Sequence, residues 1–233
     1  MKENRTRSAL VVIDMENGFI SPEAQHCIRG AAGTLPACRK AIRTAREKGI
    51  PVFFVKRIYR NNGSDVEMTR YEAWKKGGRS MGPGSTGPSS AEAPEGLQPE
   101  PGDYSIIKPR WSAFFHTSLD LILRRLQIRT VILMGTTTPN CVRTSCYDAN
   151  ALEYNVVILE DCCSSMTPEI QKANIDDMER MGALILDSER FADYDEETVP
   201  DQSVRIYEEM LASDRVPEPF APADGGMSWT DRW

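Results

Sequence analysis

The chain has 233 residues, with 28 Lys plus Arg against 34 Asp plus Glu and a formal charge of −6. That balance excludes a general nucleic-acid or anionic-membrane surface, which needs clustered basic residues, and no apolar run approaches the roughly 20 residues that span a bilayer. The length suits one α/β domain with a full core, and a cytoplasmic setting is expected because Met1-Lys2-Glu3-Asn4-Arg5 leads into a short strand rather than the apolar stretch of a signal peptide.

Residues 9–13 (Ala-Leu-Val-Val-Ile) are an apolar run of buried-strand length, and 35–48 has helical spacing with Gly49 as its stop. Residues 51–55 form a second β-rich run, so two strands flank a helix of crossover length, as a parallel βαβ unit requires. Segment 61–102 breaks the pattern. Crowded with Gly, Pro, Ser and Glu, it is expected to be a long insertion, either a functional lid or solvated decoration, with Tyr71 and Trp74 able to serve either role. Alternation then resumes with a strand at 105–107, a helix at 119–125 and a strand at 130–134. A helix at 142–153, a strand at 156–159, a helix at 168–181 and a strand at 183–186 follow. This repeat predicts a three-layer α/β/α fold with a mostly parallel open sheet. The end, 217–233, is rich in Pro, Gly and Asp but carries Phe220, Trp229 and Trp233, aromatics that either dock on the body or a neighbouring subunit or lie in a frayed terminus.

Six cysteines, Cys27, Cys38, Cys141, Cys146, Cys162 and Cys163, are too sparse and irregular for a disulfide scaffold, so reduced thiols are expected. No CxxC pair occurs, and His26 and His116 alone cannot build a histidine-rich metal site; no metal or other cofactor is expected.

Chemistry concentrates at the predicted strand ends, where an open parallel sheet collects ligands. Gly135-Thr136-Thr137-Thr138-Pro139-Asn140-Cys141-Val142-Arg143 follows the 130–134 strand and opens a helix-like stretch. A thiol over the free N–H groups of a helix start is expected to have a lowered pKa, although a buried packing thiol is the alternative for any single cysteine. Asp14 ends the first strand and Lys108 ends the 105–107 strand. Alone, Asp14 reads as a cap and Lys108 as a solvated side chain. Together a thiol, a carboxylate that takes its proton and an ammonium that holds anionic charge are a complete set for attack on a carbonyl.

The chain resembles the isochorismatase-like cysteine hydrolase superfamily, which includes nicotinamidases, N-carbamoylsarcosine amidases, biuret and triuret hydrolases and ureidoacrylate amidohydrolases. The resemblance runs from about Ser8 to Phe191. It rests on Val12-Ile13-Asp14-Met15-Glu16-Asn17-Gly18-Phe19, Lys108-Pro109-Arg110-Trp111-Ser112-Ala113-Phe114 and the Gly135–Val142 stretch, in that order. It implies a single domain over 1–233, a catalytic triad of Asp14, Lys108 and Cys141, and a thioester intermediate. It also implies an oxyanion hole from the backbone N–H groups of Thr137 and Cys141, with a cis peptide between Thr136 and Thr137. Nicotinamidases of this family carry an Asp and two His as metal ligands after the second strand; Asn61-Asn62-Gly63-Ser64-Asp65-Val66-Glu67 has no histidine there. Cleavage of a C–N bond in a small carbamoyl, ureido or carboxamide compound is therefore favoured over metal-dependent nicotinamide hydrolysis.

Neighbours of the triad are the candidate pocket walls. Phe19, Trp111, Phe114 and Asn140 are expected to pack or orient a small planar substrate, the aromatics having core packing as their alternative. Arg110 either binds a substrate oxygen with its planar fork or braces the fold, and Glu16 reads as a cap or surface carboxylate. Cys146, Cys162 and Cys163 read as core thiols. Expected partners are a small-molecule substrate and, from the resemblance, further copies of the chain in a homo-oligomer, with no nucleic acid or membrane. A redox thiol lacks a CxxC partner, and a non-catalytic binding protein on the same fold is the remaining alternative.

Overall fold

The computed structural model describes residues 7–196 and 202–212. Its chain divides into two compact units, residues 1–200 and 201–233. The first contains, in order, β1 (Ser8–Ile13), α1 (Asn17–Ile20), α2 (Ala31–Glu47), β2 (Val52–Lys56), α3 (Tyr71–Lys76) and β3 (Tyr104–Ile107). There follow α4 (Leu119–Arg125), β4 (Thr130–Thr136), a π-helical turn (Thr138–Val142), α5 (Arg143–Ala151), β5 (Asn155–Ser164), α6 (Pro168–Arg180), β6 (Leu184–Leu186) and α7 (Ser188–Ala192). In the second unit the described residues form α8 (Gln202–Ala212). The aromatic stretch 217–233 lies outside the described residues.

All six strands pair in parallel, in the order β3-β2-β1-β4-β5-β6. The chain builds outward from β1 to β3 on one side and returns to β4 on the other. Strand order therefore reverses between β1 and β4, which opens a crevice beyond their carboxyl ends. Alternate side chains of each strand enter opposite layers. Ala9, Val11 and Ile13 pack with Leu119 and Leu123 of α4, Cys146 and Ala149 of α5, and Ile175 and Met178 of α6. Leu10 and Val12 pack with Cys38, Ala41, Ile42 and Ala45 of α2 and with Phe191 of α7. Every β1 residue is buried, and each large one contributes roughly 1.5–3 kcal/mol by leaving water. This is the expected three-layer α/β/α fold. Cys146 and Cys163 belong to one layer and Cys162 to the other, as packing thiols should.

The largest departures from the sequence reading are at α2, at β5 and at the entry to α5. Helix α2 begins at Ala31 rather than near 35, because Gly30 donates its N–H to the Ser165 carbonyl at 3.1 Å and ties the helix start to the end of β5. Pro36 lies inside that helix. Strand β5 runs on past the charged pair Glu160-Asp161 to Ser164, with a register shift opposite Leu133/Gly135. The expected 142–153 helix is entered through the π turn, so Cys141 sits inside helical structure.

Gly135 makes the close approach of β4 to the end of β1 possible. Its φ is +124°, and a Cβ there would stand 2.0 Å from the Ile13 carbonyl oxygen, a backbone atom that cannot give way. Gly135→Ala is expected to cost more than about 3 kcal/mol, from the left-handed backbone and the clash together, read as a shift in the denaturant midpoint or failure to fold. A variant as stable as wild type would show that this approach is loose.

Segment 61–102 is anchored rather than bare. Trp74 of α3 is buried with Phe19, Tyr59, Val66 and Met81 in a small third cluster, and its indole N–H donates to the Ser80 carbonyl at 2.9 Å. Asn17 and Gly18 donate their N–H groups to the carbonyls of Glu92 and Ser90 at 2.8 and 2.9 Å, joining this segment to α1.

Candidate active site

Asp14, Lys108 and Cys141 follow β1, β3 and β4, and the parallel register brings them together at the carboxyl edge of the sheet. Asp14 donates its N–H to the Val55 carbonyl and Lys108 to the Lys56 carbonyl, each at 2.9 Å, so ladder-type bonds continue past the strand ends and fix both backbones. Asp14 has φ +49°, a left-handed conformation that Asp and Asn tolerate better than most residues. The three side chains are 1 %, 0 % and 6 % exposed at residue level.

The Lys108 ammonium is their hub. Its Nζ lies 2.8 Å from Asp14 Oδ2, 3.5 Å from Cys141 Sγ and 3.0 Å from the Arg110 carbonyl oxygen. The Arg110 carbonyl and the sulfur accept two of its three N–H donors, and Asp14 holds it as an ion pair. Neither Asp14 oxygen accepts a well-aligned hydrogen bond from the protein, which leaves lone pairs free to take a proton. The expectation of a thiol activated by a helix start is overturned. Burial and the Asp14 charge push Cys141 up to about 11, outweighing the opposing Lys108 charge. The helix-end effect is a surface-scale one of about 1 kcal/mol, whereas desolvation acts on the whole thiolate charge. The resting sulfur is therefore a thiol, and the proton must leave during attack.

Above the sulfur is a cavity of about 300 Å³ whose lining includes Asp14, Phe19, Thr136, Thr137, Asn140 and Cys141. The Thr136–Thr137 peptide is cis, and the Thr137 carbonyl accepts the N–H groups of Asn140 and Val142 at 3.1 and 3.3 Å, closing the turn that carries Cys141. Of the expected pocket walls, Phe19 and Asn140 line this cavity. The other three lie elsewhere. Arg110 Nη1 donates to the carbonyls of Asp65 and Pro109 at 2.8 and 2.6 Å, bracing segment 61–102 against the end of β3. Trp111 faces the Arg70 guanidinium 5.6 Å from its ring centre, and Phe114 packs on Tyr154 in the core.

Glu16 is neither a cap nor a surface group. It is fully buried, its Oε1 accepts the Arg57 N–H at 2.9 Å, and its Oε2 has no hydrogen-bond partner in the protein. Burial, then the Asp14 charge, raise its pKa well above the ordinary 4.5. A carboxyl raised on folding contributes stability that is complete below its unfolded value and is lost as pH climbs toward its folded value. Glu16→Gln escapes that loss, so its Tm relative to wild type is expected to increase as pH is taken from 5 to 8. A relative Tm that stays flat over this range would show a Glu16 ionised throughout it.

Further lining residues were not anticipated. Arg57 follows β2 at the same sheet edge, and the strand-end rule that found Asp14 and Lys108 could have found it. It is buried, with Nη1 2.6 Å from Glu67 Oε1 and 2.9 Å from the Pro109 carbonyl. His26, Cys27 and Arg70 come from irregular segments, and no periodicity marks them. Among the described residues no cluster of three or more His, Cys, Asp and Glu is arranged to hold a metal, and no helix is long and apolar enough to cross a membrane.

Residues 8–190 match the profile of the isochorismatase domain. A probable inactive nicotinamidase of Arabidopsis thaliana is 38 % identical over 184 residues, covering 78 % of this chain and 93 % of that protein. Ureidoacrylate amidohydrolase RutB of Rhizobium rhizogenes is 32 % identical over 199 residues, covering 75 % and 78 %. The crystal structure of an isochorismatase family protein from Desulfovibrio vulgaris superposes with a TM-score of 0.73 at 36 % identity, covering 90 % of this chain and all of that one. With a matched profile over most of its length and the fold of a solved family member, the chain belongs to the isochorismatase family.

Proposed function

We propose that this protein is a cysteine amidohydrolase that cleaves a C–N bond of a small carbamoyl, ureido or carboxamide compound through a thioester. It is a hydrolase of linear amides, as its amidohydrolase relatives are. The observation that carries the mechanism is the cluster of Asp14, Lys108 and Cys141, with Nζ 2.8 Å from the carboxylate and 3.5 Å from the sulfur, at the base of a small cavity.

As sulfur attacks the carbonyl carbon, Asp14 takes the thiol proton and Lys108 holds the charge on both. The carbonyl oxygen becomes an oxyanion in reach of the backbone N–H groups of Thr137 and Cys141, donors of a kind worth about 10²–10³ in rate. Collapse breaks the C–N bond, and the leaving nitrogen takes the proton from Asp14. A thioester remains. Water then gives a proton to Asp14 and its oxygen to the acyl carbon; the C–S bond breaks, the acid departs, and the sulfur recovers its proton from Asp14. We place the enzyme in the cytoplasm as a homo-oligomer, on the family likeness.

One relative bears the name of an inactive nicotinamidase. Here the intact cluster of thiol, carboxylate and ammonium favours turnover over simple binding. The test is ammonia release from biuret, triuret, N-carbamoyl amino acids, ureidoacrylate, nicotinamide and simple amides, before and after exhaustive chelation, for wild type and Cys141→Ser. Chelator-resistant turnover of a ureide or carbamoyl compound, lost in the variant, supports the reading. Turnover of nicotinamide alone, abolished by chelation, or silence across the panel, overturns it.

A further inference from the structure

The charged side chains lining the cavity are Asp14, Arg57 and Arg70, with His26 beside them. Asp14 is matched by Lys108 at 2.8 Å. Arg57 is matched by Glu67 at 2.6 Å, and the other Glu67 oxygen accepts the Tyr59 hydroxyl at 3.1 Å, so the carboxylate nearest both arginines is already taken. Arg70 is left. Among the described residues its guanidinium enters no ion pair and no side-chain hydrogen bond; its side-chain partner is the Trp111 ring, 5.6 Å from centroid to Cζ.

That placement is built rather than incidental. Arg70 donates its N–H to the Glu67 carbonyl at 2.8 Å and accepts the Trp74 N–H at 2.9 Å, which fixes its backbone at the head of α3 beside the buried Trp74. An aromatic face satisfies the flat side of a guanidinium and leaves its five N–H donors at the edge unused. A half-buried fork of this kind, on the wall of a catalytic cavity, fits a planar anion that accepts two parallel hydrogen bonds. His26 does not compete for that anion, because burial and the Arg70 charge lower its pKa and favour the neutral imidazole.

Resting on the amidohydrolase reading, we propose that the substrate carries a carboxylate in addition to its scissile amide, and that Arg70, backed by Trp111, is the residue that binds it. Arg70 then selects among ureides and carbamoyl compounds: those with an acidic tail are anchored with the carbonyl over Cys141, and neutral ones of the same size are not.

The test compares N-carbamoylglycine with propylurea, a neutral compound of similar size, in wild type, Arg70→Met and Arg70→Lys. Wild type is expected to favour the carboxylate by about 10²-fold in kcat/KM, mostly through KM, with the preference weakening as salt is raised. Arg70→Met is expected to bring the ratio to within about threefold, and Arg70→Lys to restore part of it. A loss that falls equally on both compounds, or a preference that survives Arg70→Met, overturns the proposal. Failure of the hydrolytic reading is separated by measuring calorimetric binding of the same pair to Cys141→Ala with and without Arg70→Met. Binding of N-carbamoylglycine that depends on Arg70, with a wild type that hydrolyses neither compound, upholds the anchor and rejects the hydrolase. Equal affinity for both compounds, or binding of neither, rejects the anchor.

Discussion

Cys141→Ala is expected to lower kcat/KM for any amide substrate at least about 10⁴-fold while shifting Tm by only a few degrees. The large kinetic effect follows from removing the nucleophile, since nothing else at the sheet edge replaces the covalent step. The small effect on stability follows from what is removed: one sulfur atom facing a cavity, with the rest of the residue held by the π turn. Because burial pushes the thiol up to about 11, the thiol is the dominant form at pH 7. Wild-type kcat/KM is therefore expected not to climb tenfold per unit from pH 7 to 10, since Asp14 removes the proton within the attack itself. A rate that tracked the thiolate fraction would remove Asp14 from the role of base, and Cys141→Ala retaining more than about 1 % of activity would remove the thioester.

The second large effect concerns the pair beneath the sulfur. Lys108 and Asp14 are almost without solvent contact, and their charges stand 2.8 Å apart. Breaking a buried pair by removing one partner commonly costs 3–5 kcal/mol, because the other charge is left uncompensated. Lys108→Met and Asp14→Asn are each expected to abolish detectable turnover and to lower stability by about that amount in denaturant titrations. Asn is the informative replacement at Asp14, since it tolerates the φ of +49° and isolates the charge from the backbone. The double variant is expected to recover much of the stability lost by either single one, while turnover stays absent. Additive destabilisation in the double variant would mean that the two side chains contribute through packing and not through their charges.

Strands β1, β2 and β4 were readable because they are buried on both faces and so appear as unbroken apolar runs, and β5 because its first half is such a run; the alternation of strands and helices implied a parallel sheet, whereas the strand order came from the structure. Asp14 and Cys141 were readable as strand-end residues because each lies just beyond such a run; Lys108 follows the half-exposed edge strand β3, and grouping the three as a triad rested on the family resemblance. Segment 61–102 was visible only as an interruption, since its cluster around Trp74 draws Phe19 from α1 and Tyr59 from beyond β2, contacts with no local period.

Side-chain environment was not legible in the same way. Glu16 follows Asp14 by two residues and reads as a polar group near a turn, yet the fold closes over it and holds it beside two other charges. Arg110 and Phe114 flank the same motif as Lys108, but one turns to the Asp65 carbonyl and the other into the core. Arg70 reaches the cavity from the far end of an irregular segment. Sequence alone indicated the main strands and helices and a parallel sheet, because burial period is a property of the chain taken a few residues at a time, and the family resemblance added the three candidate reactive residues. Only the tertiary structure decided the direction in which the pKa values of Cys141 and Glu16 move and which side chains line the cavity, because desolvation and charge pairing depend on groups that are distant in sequence and meet only when the layers close.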